Sequence, residues 1–471
     1  MKKLFTRKLV AVLITVVMFI GGTAACGSLA GGNLLNAAAT TGTASDGGKT
    51  ISIATLYNVI GQETLARQYM DAHPGTTITI NSFMYDYDRY LTEVPTMLMS
   101  GTADDLMEGY INYKDSRVVA YLADFNALMD ADPTFDREDY YANFFEALEY
   151  KGGLYAYPFD FVYDAFAINN KLVGAAREKV DSMNALSYFD MFELFDIAGG
   201  AFPYPDYAND PLDALLYTID SFVDLENSAC DFNNARFIEL IKRSKELTEP
   251  DSRSHGSLST VTPDDEKLFS EKYLLINTLP QTYQYLLPIK EETLFSGHKP
   301  LISEQGKLLT MAPAKFCLSK QSENKDLAWD FIRFIQDPQT YADEDGNITG
   351  SFRTPSINKE LFRIGLEYAL LKPGTEINAA GNLVETESFF DWIAADYGWH
   401  VPGDRRERFD EVLARYDEIL SMPVQDRTLV LFPQNVQDVF YATMDSYLQG
   451  LITAEQTAEE LQNKISIALR E

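Results

Sequence analysis

The sequence predicts an α/β fold of two lobes, each a mainly parallel sheet flanked by helices. Three observations lead there. From Thr50 to Tyr121 the pattern alternates strand, helix, strand, helix, strand. At 471 residues and 46% hydrophobic, the chain can bury more than one core. A leader and a linker precede this body, so the folded part begins near Thr50.

The leader is residues 1–25. Lys2, Lys3, Arg7 and Lys8 form a basic stretch, and Leu9 to Ile20 a short apolar run. That run is too short for a comfortable membrane span and has the layout of an export signal. Gly21 and Gly22 end it, and Thr23-Ala24-Ala25 lead into Cys26. This resembles a bacterial lipobox, which would make Cys26 the lipidated new N-terminus and anchor the protein to the membrane. The family motif usually has Leu where Thr23 stands, so an ordinary secretion signal is the alternative. Residues 26–49 are mostly Gly, Ala, Thr, Ser and Asn, the composition of a flexible tether with a reach of roughly 25 Å.

The body alternates as the fold class requires. Thr50 to Tyr57 is β-rich, and Gln62 to Ala72 is helical up to the stop His73-Pro74-Gly75. Thr76 to Phe83 alternates Ile with Thr as a strand does. Tyr87 to Met99 is a helix with Leu91, Val94, Met97 and Leu98 inward and a kink expected at Pro95. Gly101 to Tyr110 returns to a short strand. This order argues a parallel sheet whose ligands lie beyond the carboxyl ends of the strands. Those ends hold Tyr57 and Asn58, Tyr85 and Asp86, and Tyr110 and Asn112. Residues 181–272 are mostly helical. Leu308 to Leu318 is strand-like, and Asn324 to Gln336 is an amphipathic helix ended by Asp337-Pro338. Two helices close the chain, the last opened by a capping box at Thr453 to Gln456.

Composition excludes some partners. Seventy acidic residues against 39 basic give a net charge of −31, which repels nucleic acid and anionic lipid. Beyond Cys26 only Cys230 and Cys317 remain, read as two free thiols in preference to a disulfide. No GxSxG, HExxH, CxxC or GxxxxGK pattern occurs, and His73, His255, His298 and His400 are scattered. Asp130, Asp132, Thr134 and Asp136 alternate like a calcium loop, as do Asp343, Asp345, Asn347 and Thr349. Both lack the glycine and closing glutamate of an EF-hand and read as turns. No metal, cofactor or catalytic residue is expected.

Further segments carry a family resemblance. Met97 to Leu106 has a helix end, a glycine turn and an acidic strand start, with Asp104 where the family has Pro. Lys151-Gly152-Gly153-Leu154-Tyr155-Ala156-Tyr157-Pro158, followed by Phe166-Ala167-Ile168-Asn169-Asn170-Lys171, is similar to a first crossing between lobes and the strand after it. Phe269 to Thr278, Ser319 to Gln336, Phe352-Arg353-Thr354-Pro355 and Tyr447-Leu448-Gln449-Gly450 resemble later family segments in the family's order. Over Thr50 to Glu471 the chain thus resembles the family 1 extracellular solute-binding proteins, the maltose-binding-protein-like substrate-binding lipoproteins of bacterial ABC transporters.

The resemblance implies a two-lobed periplasmic-binding-protein-like fold, with the ligand in a cleft between lobes that close by a hinge. Lobe one would be 50–160 with 300–350, and lobe two 161–299 with 355–471. It implies a monomer outside the cell that captures a small polar solute, most often a sugar, for ABC permease subunits, with no chemical conversion. A sugar has apolar C–H faces and hydroxyl edges, which aromatic rings and Asp, Asn or Arg side chains match. Asp160, Tyr163, Thr278, Gln281, Arg353, Trp392 and Trp399 join the six strand-end candidates on that ground. Arg353 has a second reading as a structural ion pair, and each ring a second reading as core. Trp329, on a helix face with Phe331 and Ile332, reads as core. A secreted glycoside hydrolase with a carboxylate pair, a sensor component and an adhesion protein are the rival functions.

Overall fold

The computed structural model describes residues 49–57, 61–198, 219–247, 274–277, 295–342, 355–371, 374–377, 383–386, 404–426 and 432–470. The strands that position the site are β1 (Lys49–Thr55), β2 (Thr76–Ser82), β3 (Leu106–Glu108), β4 (Tyr157–Pro158), β5 (Val162–Tyr163), β6 (Ala165–Asn169), β7 (Leu275–Asn277), β8 (Phe295–Pro300), β9 (Leu308–Met311), β10 (Lys315–Leu318) and β11 (Val424–Asp426). The longer helices are α1 (Gln62–Ala72), α2 (Tyr87–Ser100), α3 (Tyr188–Ala198), α4 (Ala235–Leu247), α5 (Lys325–Gln336), α6 (Lys359–Leu371), α7 (Arg405–Leu420), α8 (Gln434–Leu448) and α9 (Ala454–Ala468).

The first sheet has the order β2-β1-β3-β10-β4. β1 pairs parallel with both β2 and β3, as the alternating pattern predicts. Ile51 and Ile53 are fully buried, and α1 packs Leu65 and Tyr69 into the same core. α2 contains Pro95 and ends at Gly101, whose φ of 75° gives the left-handed turn that glycine adopts without strain. β10 and β4 join antiparallel, because β10 leaves the waist of the molecule while β3 and β4 run toward it.

The waist is a lacing of three segments. Phe159 N–H donates to Ala314 O at 2.9 Å, Phe161 N–H to Pro355 O at 3.0 Å, and Ile357 N–H to Phe159 O at 3.1 Å. β9 lies at this junction, antiparallel to β5 and parallel to β11. Its side chains alternate as in any strand: Leu308 enters the first core and Leu309 a different one, shared with β6, α3 and Leu275. Beyond the waist the sheet β8-β6-β7 is antiparallel throughout its described strands, against the expectation of mainly parallel pairing. The cause is directional: β6 leaves the waist just after β5, whereas β8 brings the chain back to it. A further core joins α4, α8 and α9 around Phe237, Phe440, Leu461 and Ile465. Residues of α6 and α7, among them Phe362, Phe409 and Val412, pack into the first core.

Several local expectations hold. Trp329 is 7% exposed and belongs to the core. Cys230 and Cys317 are both free thiols, packed in different cores. Burial pushes the Cys317 thiol up to about 12. No helix among the described residues is long and apolar enough to cross a membrane.

Candidate functional site

The order β2-β1-β3 puts the switch in strand order at β1, and ligands of open α/β sheets bind beyond the carboxyl ends of the strands at such a switch. Three strand ends meet there. Glu108, the last residue of β3, is 3% exposed, and its carboxylate accepts the N–H groups of Leu56 at 2.6 Å and Tyr57 at 2.8 Å. The side-chain amide of Gln62 donates to its other oxygen. Phe83 N–H donates to Thr55 O at 2.8 Å, and Tyr85 N–H to Leu56 O at 3.1 Å. The buried Tyr90 hydroxyl closes the set by donating to Glu108 O at 2.7 Å.

This scaffold gathers Tyr57, Tyr85 and Tyr110. The Tyr57 ring lies 5.0 Å from Tyr110 in an edge-to-face contact and 5.5 Å from Tyr85 at 52°. Tyr57 and Tyr110 are 5% and 6% exposed, whereas Tyr85 is 66% exposed. The Tyr110 hydroxyl is buried without a hydrogen-bond partner among the described residues. Burial, helped by the Glu108 carboxyl, pushes the Tyr57 phenol up to about 12 and raises that of Tyr110 well above its ordinary value. Both are neutral at physiological pH and keep a proton to donate.

The other described candidates have local roles. Asp86 is exposed and caps α2, its carboxylate accepting Arg89 N–H at 3.2 Å. The Asn112 side chain accepts Lys114 N–H at 3.2 Å. Asp160 is fully buried at the waist, accepts Ala314 N–H at 2.8 Å and forms a bridge with Ser356. Tyr163 is 1% exposed inside the sheet at the waist, its ring 6.4 Å from Tyr416. Cys26, Asn58, Thr278, Gln281, Arg353, Trp392 and Trp399 lie outside the described residues.

Sequence reading missed Glu108, Gln62, Met84 and Lys315. An acid at a strand end reads as solvated, and no periodicity marks Glu108 as buried. Lys315 is 3% exposed, and its ammonium donates to Ala312 O at 2.6 Å. Burial draws its pKa below the usual lysine range, while Asp426 and Asp160 act in the opposite sense. Its stem lies over Gly109, where an added Cβ would stand 2.3 Å from Lys315 Cγ and force the lysine stem to shift. The signal in the sequence was Gly109 inside the expected strand, a mark of close approach.

A groove of about 1110 Å³ lies elsewhere, lined by residues of α5 and α6 and by the 132–141 segment, and it contains none of the strand-end residues. Several of its polar groups bind one another. Asp132 accepts Trp329 Nε1–H at 3.0 Å and lies 3.4 Å from Arg333, and Asp417 accepts the Tyr141 hydroxyl at 3.0 Å. The calcium-like alternation at Asp132 thus serves packing.

No family model matches the sequence, and no curated protein does. Solved structures match in fold. The sugar-binding protein MalE from Xanthomonas citri is 13% identical, with a TM-score of 0.57 over 90% of this chain and 98% of that one. The cyclic α-maltosyl-1,6-maltose binding protein from Arthrobacter globiformis is 14% identical, with a TM-score of 0.53 over 90% of this chain and 100% of that one. An extracellular solute-binding protein family 1 structure from Alicyclobacillus acidocaldarius is 12% identical, with a TM-score of 0.51 over 91% of this chain and 100% of that one. Strand order, laced waist and these likenesses together give the chain the two-lobed α/β fold of the extracellular solute-binding proteins.

Proposed function

We propose that this protein captures a carbohydrate between its two lobes outside the cell and passes it unchanged to an ABC importer. The observation that carries this reading is the convergence of Tyr57, Tyr85 and Tyr110 at the carboxyl ends of β1, β2 and β3. The exposed Tyr85 ring, backed by the two covered ones, suits a sugar's apolar C–H face. Proteins with this fold described as sugar-binding support the choice of ligand class. The lobes are 50–160 with 300–350 and 161–299 with 355–471, with α6 and α7 reaching back onto the first core. Cys26 carries the lipid that holds the protein at the outer face of the membrane, and a Cys26→Ser variant is expected to leave the membrane fraction.

The test is a thermal-shift screen of the mature protein against glucose, galactose, maltotriose, cellotriose and xylotriose, with amino acids and polyamines as contrasts. Ligand at 100 times its Kd stabilises by about 2.7 kcal/mol, which raises Tm by several degrees. At least one sugar is expected to do this and to be recovered intact. A shift from amino acids or polyamines alone would count against the sugar, and cleaved glycan would establish the hydrolase instead.

A further inference from the structure

The turn after β2 has an unusual backbone and an unusual surface. Met84 and Tyr85 have φ of 47° and 66°, the left-handed region that L side chains avoid. No other two consecutive non-glycine residues among the described ones share it. Such strain persists where the surroundings over-determine it. Here Tyr85 N–H is bonded to Leu56 O and Asp86 N–H to Phe83 O at 2.9 Å, while Met84 N–H donates to the Ser82 hydroxyl at 3.3 Å. Phe83 and Tyr87, on either side, are each 7% exposed. Between them Met84 is 79% and Tyr85 66% exposed. Glycine or asparagine would make this turn without strain and without apolar exposure. Instead the fold holds a thioether and a phenol ring outward on a hydrogen-bonded backbone, beside the carboxyl ends of β1 and β3.

The tyrosine cluster divides by role. Tyr57 and Tyr110 are nearly covered, so neither offers a ring face for stacking. Tyr85 does, and the Tyr57 ring braces it from behind. We infer that the Met84–Tyr85 knuckle is the first-lobe contact for the bound carbohydrate: Tyr85 stacks on a C–H face of a sugar ring, and the Met84 thioether covers the adjoining edge. Tyr57 is a positioning residue that fixes the Tyr85 ring. Methionine is flexible and polarisable, so the contact adapts to the sugar unit beside the stacked one. The inference rests on the carbohydrate reading above.

The test uses the panel sugar that gives the largest wild-type shift. Tyr85→Ala is expected to weaken its binding roughly tenfold or more by titration calorimetry, with the ligand-free Tm nearly unchanged because the side chain is exposed. Tyr85→Trp is expected to bind within about threefold of wild type, since it restores a stacking face. An independent readout needs no variant. Peroxide converts exposed methionine to its sulfoxide, and the bound sugar is expected to slow this at Met84 but not at Met99, which is 42% exposed on α2. Wild-type affinity in Tyr85→Ala, or equal Met84 oxidation with and without sugar, overturns the inference while leaving capture intact. Wild-type protein that binds no sugar at all defeats the capture reading at the first titration, and the knuckle assignment falls with it.

Discussion

The carboxyl of Glu108 stands among the N–H groups of Leu56 and Tyr57, the side-chain amide of Gln62 and the Thr55 hydroxyl. Burial nonetheless raises its pKa above the ordinary carboxylate value, and these hydrogen bonds offset only part of that rise. The native state therefore holds a proton that the unfolded chain has released once pH passes the ordinary glutamate range. The contribution of this group is greatest in acid and declines as pH rises through the folded pKa. Glu108→Gln is expected to remove that slope. Its carbonyl still accepts from Leu56 and Tyr57, and a half-turn of the Gln62 amide accommodates the new NH2 group. Denaturant melts from pH 4 to 8 should show wild type losing stability relative to Glu108→Gln. Parallel curves would refute the linkage. Glu108→Ala leaves two buried N–H groups without an acceptor and is expected to cost about 2–4 kcal/mol. Such residues were not legible beforehand. Acid at a strand end and lysine at a strand start both suit a solvated surface, and only tertiary contact shows Glu108 and Lys315 to be inside.

Elements were far more legible, because period and punctuation are local. Helix α1 spans the predicted residues, with Leu65 and Tyr69 buried before His73. The capping box at α9 is present in both halves: Gln456 N–H donates to the Thr453 hydroxyl at 3.2 Å, and Thr453 N–H to Gln456 Oε1 at 2.9 Å. Replacing Thr453 by Ala is expected to cost about 1 kcal/mol of global stability, because α9 packs Ala458, Leu461 and Ile465 into a core with α4 and α8. Thr453→Ser should recover most of it, and equal urea midpoints for wild type and Thr453→Ala would deny the cap its role. Two elements were misjudged. The strand expected over Gly101 to Tyr110 shrinks to β3, since Asp104 and Asp105 turn their carboxylates to Asn81 and Ser52 before the ladder begins. Leu308 to Leu318 is two strands in different sheets, β9 and β10, parted at Ala312 to Ala314. Both halves are apolar, so period alone joins them. The break comes from the waist, where Ala314 N–H turns to Asp160.

At the scale of the whole molecule that break is where the lobes are coupled. Segments around Phe159, Ala314 and Ser356 cross side by side, and the Ser356 hydroxyl donates to Phe159 O at 3.2 Å. A hinge in such a place needs short, well-bonded strands that bend together, because core packing on either side resists gradual deformation. Asp160 therefore acts as a bracket between crossings, whatever further contact it makes with ligand. Asp160→Ala strips the acceptor from buried Ala314 N–H and is expected to cost about 2–3 kcal/mol. Asp160→Asn keeps an oxygen for that N–H and should cost less. The two variants separate bracket from ligand contact when sugar binding is followed by small-angle scattering. Wild type is expected to contract on adding sugar, as lobes closing on a ligand must. If Asp160 is a bracket, Asp160→Asn contracts at the same sugar concentration as wild type, whereas Asp160→Ala starts from a broader distribution of shapes and closes less completely. A contraction in Asp160→Asn that requires much more sugar, with its ligand-free scattering unchanged, would make the carboxylate a ligand contact instead.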